Sequence, residues 1–139
     1  MGKFADDLSK FNRKSSKEMA RVKKGVAIKL FNAIVEDTPV LAGTLRGNWR
    51  FSIGAPDRRV NELTRDTTGS VSMQIINEVV GSSKGDDAIF MSNSMPYAAR
   101  IEYDGWSHTK SPFGMVRRNT FRFEILLKET LGESFSMNF

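Results

Sequence analysis

Between Phe4 and Glu36 the apolar residues Phe4, Leu8, Phe11, Met19, Val22, Val26, Leu30 and Ile34 recur at spacings of three, four or their sums, with no proline among them. That period predicts one continuous helical face. At about 100° per residue, Lys10, Lys14, Lys17, Arg21 and Lys24 fall within an arc of about 80° on the opposite side, so the helix carries a basic stripe. A helix of this span is about 50 Å long, more than a domain of this size covers, so part of it is expected to project or to pack on another subunit. Gly25 is its weak point, costing about 1 kcal/mol relative to alanine, and a break there is allowed. Pro39 ends it, because proline disfavours the α conformation at Thr38 and donates no backbone hydrogen bond.

After the turn at Gly43 the period changes. In LRGNWRFSIG, the residues Leu45, Trp49, Phe51 and Ile53 stand at odd positions between Arg46, Asn48, Arg50 and Ser52, which predicts a strand with one buried face and one polar, partly cationic face. APDRRVNELTRDTTG, rich in turn residues and charge, reads as a connection. The next run, SVSMQIINEVVG, fits two templates: SVSMQI alternates like a strand, while Val71, Ile75, Ile76, Val79 and Val80 form a helical face closed by Gly81. The helix is preferred. SSKGDD makes a turn and AIFMSN a short strand. Asn93 or Ser94 can cap a helix with Pro96 in its first turn, carrying Tyr97, Ile101 and Glu102 and ending at Gly105. WSHTKSPFG is a loop, and a final helix is predicted from Met115 towards Leu131 with Val116, Phe123, Leu127 and Leu131 on one face. The expected fold is therefore α+β: a single domain, 1–139, with a long basic helix over 1–37. The body over 38–139 holds a small antiparallel sheet, a further short helix and a C-terminal helix.

Composition adds little to the fold and more to the chemistry. The 139 residues include no cysteine and one histidine, which excludes disulfides, thiolate metal sites and thiol nucleophiles and leaves too few ligands for zinc. No apolar run is long enough to span a bilayer, and the first residues lack the apolar core of a signal peptide, so a soluble, cytoplasmic product is expected. The net charge of +5 favours polyanionic or acidic partners. Nine lysines and arginines lie before Leu30, against only Asp6, Asp7 and Glu18 before Glu36. A face held together merely by surface pairs would intersperse its signs, whereas DNA phosphates or an acidic subunit would reward this one. A membrane surface ranks last, since it would compete for the apolar face that the fold needs.

Ser107, His108 and either Asp104 or Glu102 supply the atoms of a catalytic triad, but sequence neighbours rarely face one another, and no GxSxG elbow is present. Glu102 and Asp104, two apart on a helix, do not face each other either; Glu102 is expected to pair with a cation or cap a backbone group. GxxxxGK[ST] and a GxGxxG after a strand are both missing. No catalytic residue, cofactor or metal is expected. Trp49 and Phe51 are expected in the core rather than stacked on bases.

Two stretches are more specific than any single residue. TPVLAGTLRGNW, from Thr38 to Trp49, resembles the motif TPVxTGxLRxNW. PYAARIEYDGWSHTKSPFGMVR, from Pro96 to Arg117, resembles a pattern in which Tyr-Ala leads to Glu-Tyr, Gly and Ser and then to Pro-x-Gly-Met-Val-Arg. Both are similar to the neck, or tail-completion, proteins of tailed bacteriophages, where they follow a long N-terminal helix. Leu41 and Ala42 depart from the usual Asp and Thr. The resemblance implies a non-enzymatic virion protein of the head-tail connector, made in the host cytoplasm and assembled as a sixfold or twelvefold ring. Its neighbours would be portal-side, tail-tube or terminator proteins, with genomic DNA in the channel. On this reading Lys10, Lys14, Lys17, Arg21, Lys24, Arg46 and Arg50 are candidates to face DNA or another subunit. Pro39, Gly43, Trp49, Tyr97, Glu102, Tyr103, Trp106, Pro112, Phe113 and Gly114 are candidate structural or interface anchors. The alternative is a free nucleic-acid-binding protein without sequence preference.

Overall fold

A computed structural model describes residues 2–40, 42–104 and 114–137, with side chains to residue 132. One helix, α1 (Gly2–Asp37), runs without a break for 36 residues. Gly25 does not interrupt it. A Cβ at that position would come 2.7 Å from the Thr130 methyl, so the glycine lets another helix approach closely. The helix stops where Pro39 requires: the Thr38 amide donates to Val35 O at 3.2 Å and its hydroxyl to Ile34 O at 2.7 Å.

The remaining elements are α2 (Thr44–Gly47), β1 (Arg50–Ile53), α3 (Ser70–Ser82), β2 (Ile89–Ser92), α4 (Ala98–Asp104), α5 (Val116–Thr120) and α6 (Phe123–Met137). The two strands pair antiparallel with Arg50 opposite Ser92 and Ile53 opposite Ile89. The fold is thus α+β with a small antiparallel sheet. The C-terminal half of α1 is covered by α3, α5 and α6. Phe31, Ile34 and Val35 meet Leu45, Trp49, Phe51, Ile76, Val80, Met95, Ala98, Ile101 and Met115 in one cluster, with the Phe31 and Phe51 rings 5.8 Å apart. Burial of such side chains contributes about 1.5–3 kcal/mol each.

Four sequence expectations need correction. The helix predicted with Pro96 in its first turn and Tyr97 on it begins only at Ala98, and Pro96 and Tyr97 form the turn before it. The strand predicted from Leu45 begins only at Arg50, because Gly43 in the left-handed region (φ 83°) starts a helical turn that the Asn48 side chain closes on Thr44 O at 2.7 Å. Leu45 therefore lies in a helical turn and Trp49 in the link between that turn and the strand, both buried in the core. In α3 the inward residues are Ser72, Ile76 and Val80, while Val71 and Ile75 face outward, and the helix passes Gly81 to end at Ser82. The predicted C-terminal helix is two, α5 and α6, separated at Phe121 and Arg122; Thr130, not Leu131, is its buried residue there.

Candidate functional site: two joints at the end of a cationic helix

The stretch Thr38 to Trp49 folds around the C-terminus of α1. The Trp49 indole donates from Nε1 to the Thr38 hydroxyl at 2.8 Å, so one buried hydroxyl serves both the helix end and the core tryptophan. Arg46 reaches back over the same end, its guanidinium donating to Glu36 O at 3.0 Å, Thr38 O at 3.1 Å and Thr67 O at 2.8 Å. A cation on the last carbonyls of a helix is favoured by their unpaired lone pairs and by the helix dipole. Gly43 O accepts from the amides of Gly47 and Asp66, and a Cβ on Gly43 would stand 2.5 Å from the Asp66 nitrogen. Asn48, fully buried, donates to Asn61 O at 2.9 Å and accepts the Asn61 amide at 2.8 Å, tying down the long connection before α3.

Asp66 completes this joint. Its carboxylate accepts the Gly69 amide (2.9 Å), the Ser72 amide (3.0 Å) and the Ser72 hydroxyl (2.8 Å) at the start of α3. Burial alone pushes the carboxyl up, but these hydrogen bonds outweigh it and hold Asp66 below the usual aspartate range. Sequence reasoning missed Asp66; the available signal was an acidic residue just ahead of a helical apolar run. In the same connection Asp57 is held down at about 2, chiefly by its hydrogen bonds with Arg59.

The second joint is built by the other motif. Glu102 on α4 is 9% exposed, and its carboxylate accepts the amides of Met115 (2.5 Å), Val116 (2.9 Å) and Arg117 (2.8 Å), the open first turn of α5. The Arg117 guanidinium adds an ion pair at 3.3 Å, donates to Glu102 O, and lies 5.0 Å from the Tyr103 ring. Burial pushes Glu102 up, and the three amides with Arg117 more than offset it, leaving the carboxyl below the usual glutamate range. Gly114 (φ 83°) is what permits the approach: a Cβ there would stand 2.6 Å from Glu102 O. The spacing between the Glu-Tyr and Gly-Met-Val-Arg halves is therefore a carboxylate capping a helix start.

Both joints close on the same place. Asn119 on α5 donates to the Asp37 carboxylate at 2.9 Å and to Met115 O at 2.8 Å, and Arg118 lies 3.7 Å from Asp37, beside the carbonyls that Arg46 holds. Of the sequence candidates, Arg46 is thus turned inward on its own chain and does not face outward. Lys24 is similarly committed, donating to Gly81 O at 3.0 Å, and Arg50 donates to Arg59 O at 3.1 Å. Lys10, Lys14, Lys17 and Arg21 remain exposed on the outer half of α1, with Arg21 near Glu18 at 3.8 Å. Pro39, Gly43, Trp49, Glu102 and Gly114 have structural positions as described. Tyr97 lies at the surface and Tyr103 is 70% exposed under Arg117. Trp106, Pro112 and Phe113, with Ser107, His108 and Gly105, lie outside the described residues.

Among the described residues no group of three or more His, Asp or Glu side chains is placed to hold a metal ion, and no helix is long and apolar enough to cross a membrane. Comparison with protein-family models, curated proteins and solved structures gave no match.

Proposed function

We propose that this chain is a structural subunit of the head-tail connector of a tailed phage, assembling into a ring at the junction and presenting its cationic arm to DNA or to an acidic neighbour. One observation carries the reading. The two stretches that bear the resemblance, about 160 Å of extended chain apart at their nearest ends were they unfolded, come together around Asp37 and Thr38, and Lys10, Lys14, Lys17 and Arg21 of α1 are left exposed.

 

What supports the reading is this division of labour: the motif residues serve the joints, and the exposed cations are free of that work. Charge reversal at Lys14, Lys17 and Arg21 to glutamate tests it in phage carrying the altered chain. Heads and tails that fail to join, or particles that lose DNA, are the expected result, and virions of normal yield and infectivity would refute it.

The exposed cations also suit a free nucleic-acid-binding protein, the second reading. Four phosphate contacts would lower affinity by about 100-fold between roughly 50 and 200 mM salt. Tight, steeply salt-dependent retention of DNA by the isolated protein, with no association with portal-side or tail-tube proteins, would favour it over the connector.

A further inference from the structure

The outer part of α1 carries an apolar seam that no other element of the described chain covers. Contacts run from Asp37 to Asn119, from Lys29 to Glu129 and from Gly25 to Thr130, so α6 climbs α1 towards its N-terminus. Seven further residues bring Met137 level with about residue 18. Residues 2–14 are all exposed, among them Phe4 at 74%, Leu8 at 50% and Phe11 at 66%. With Ser15 these follow the heptad spacing of four, three and four, and the same line passes Glu18, where the apolar run of the arm ends, and continues through Val22 and Gly25 to Lys29, beside α6. A line that is half-buried beside α6 thus runs on, exposed, along the arm.

We propose that in the free protein the arms of two copies pair antiparallel along this seam, with Leu8 of each copy against Phe11 of the other. In that register Phe4 faces Ser15, and the overlap spans residues 4–15, the part of α1 beyond α6, so the two bodies lie at opposite ends without collision. Charge selects the orientation. Asp7 and Lys14, seven residues apart, flank the seam on one side, while Ala5 and Asn12 flank it on the other. Antiparallel pairing sets Asp7 of each copy beside Lys14 of the other, twice by symmetry. A parallel pair would set Asp7 and Lys14 beside Asn12 and Met19, with no complementary charge. Lys10 and Lys17 lie away from the seam and stay in water, and Arg21, in the same column as Lys14, lies beyond the overlap. The contact buries on the order of 800 Å² in total, below the roughly 1,200 Å² of stable interfaces, so the pair is reversible at micromolar concentrations. The inference stands on the arm alone and does not use the connector reading.

Sedimentation equilibrium of the full chain from about 1 μM to about 1 mM tests it. The expected result is a monomer-dimer equilibrium that Phe11→Glu abolishes. Asp7→Lys should raise the dimer Kd about tenfold, and Asp7→Lys combined with Lys14→Asp should return it to within about threefold of the parent. These side chains lie outside the core, so the melting temperature of the dilute monomer should be unchanged in each variant. A chain that stays monomeric throughout, or any oligomer indifferent to Phe11→Glu, overturns the proposal. A double variant as weak as Asp7→Lys alone overturns the antiparallel register.

Discussion

Replacing Glu102 by alanine removes one carboxylate and leaves the amides of Met115, Val116 and Arg117 without their acceptor; the first of these is buried. A hydrogen bond to a charged acceptor contributes about 1.5–3 kcal/mol, but the three bonds share one group and two of the amides are near water, so they do not add in full. The half-exposed Arg117 ion pair adds at most about 1 kcal/mol. Disruption of a buried charged cluster costs about 3–5 kcal/mol, and we expect Glu102→Ala to fall in that range. With an unfolding entropy of about 2.1 cal/mol/K per residue over this chain, the melting temperature should drop by about 10–17 °C.

The pH dependence gives a sharper test of the same joint. Because the folded-state value of Glu102 is depressed, its contribution is fully present above the unfolded value of about 4.3 and is lost as pH falls through the folded value below it. The stability difference between the parent and Glu102→Gln, read by urea denaturation followed through helical circular dichroism, should therefore be large at neutral pH and shrink on acidification below about pH 4. Comparing the two proteins cancels the other carboxylates. A Glu102→Gln variant within about 0.5 kcal/mol of the parent at neutral pH, with an unchanged acid limb, would refute the capping role.

Asp66→Ala should cost about 2–4 kcal/mol in urea denaturation, since it strips the Gly69 and Ser72 amides of their acceptor, and like Glu102 its contribution should vanish on acidification below about pH 4. Gly43→Ala and Gly54→Ala both place a side chain at positive φ, a strain of about 1 kcal/mol, but only Gly43 also meets the Asp66 backbone. Gly43→Ala should therefore melt several degrees below Gly54→Ala by calorimetry. Arg46→Ala should lower stability by about 2–3 kcal/mol through the freed carbonyls of Glu36, Thr38 and Thr67, whereas Lys14→Ala should lie within about 0.5 kcal/mol of the parent in the same denaturation series.

The extent of α1, its stop at Thr38, the choice of helix for α3 and the strands near Phe51 and Phe90 were all legible along the chain. Each rests on local physics: a 3.6-residue period over many turns, a proline that cannot continue a helix, and alternation or short apolar runs bounded by turn residues. Trp49 as a core residue and Glu102 as a backbone cap were legible too, because a large ring and a carboxylate beside apolar neighbours have few stable destinations.

Other features depended on partners far along the chain. Leu45 fits an alternating strand as well as a helical turn; the left-handed Gly43 and the Asn48 bonds to Thr44 and Asn61 decided for the turn. Val71 and Ile75 match Ile76 and Val80 in hydrophobicity, yet docking on α1 turned the latter pair inward. Arg46 and Lys14 are both cations read as candidates to face DNA or another subunit, and only the return of the chain to Glu36 and Thr67 made one a clamp and left the other in solvent. By itself, then, the sequence determined the period and punctuation of the main elements, because these are set by neighbours within a few residues. The tertiary structure decided which face, which charge and which glycine served the joints, because hydrogen bonds and close approaches are made in space between residues that periodicity cannot relate.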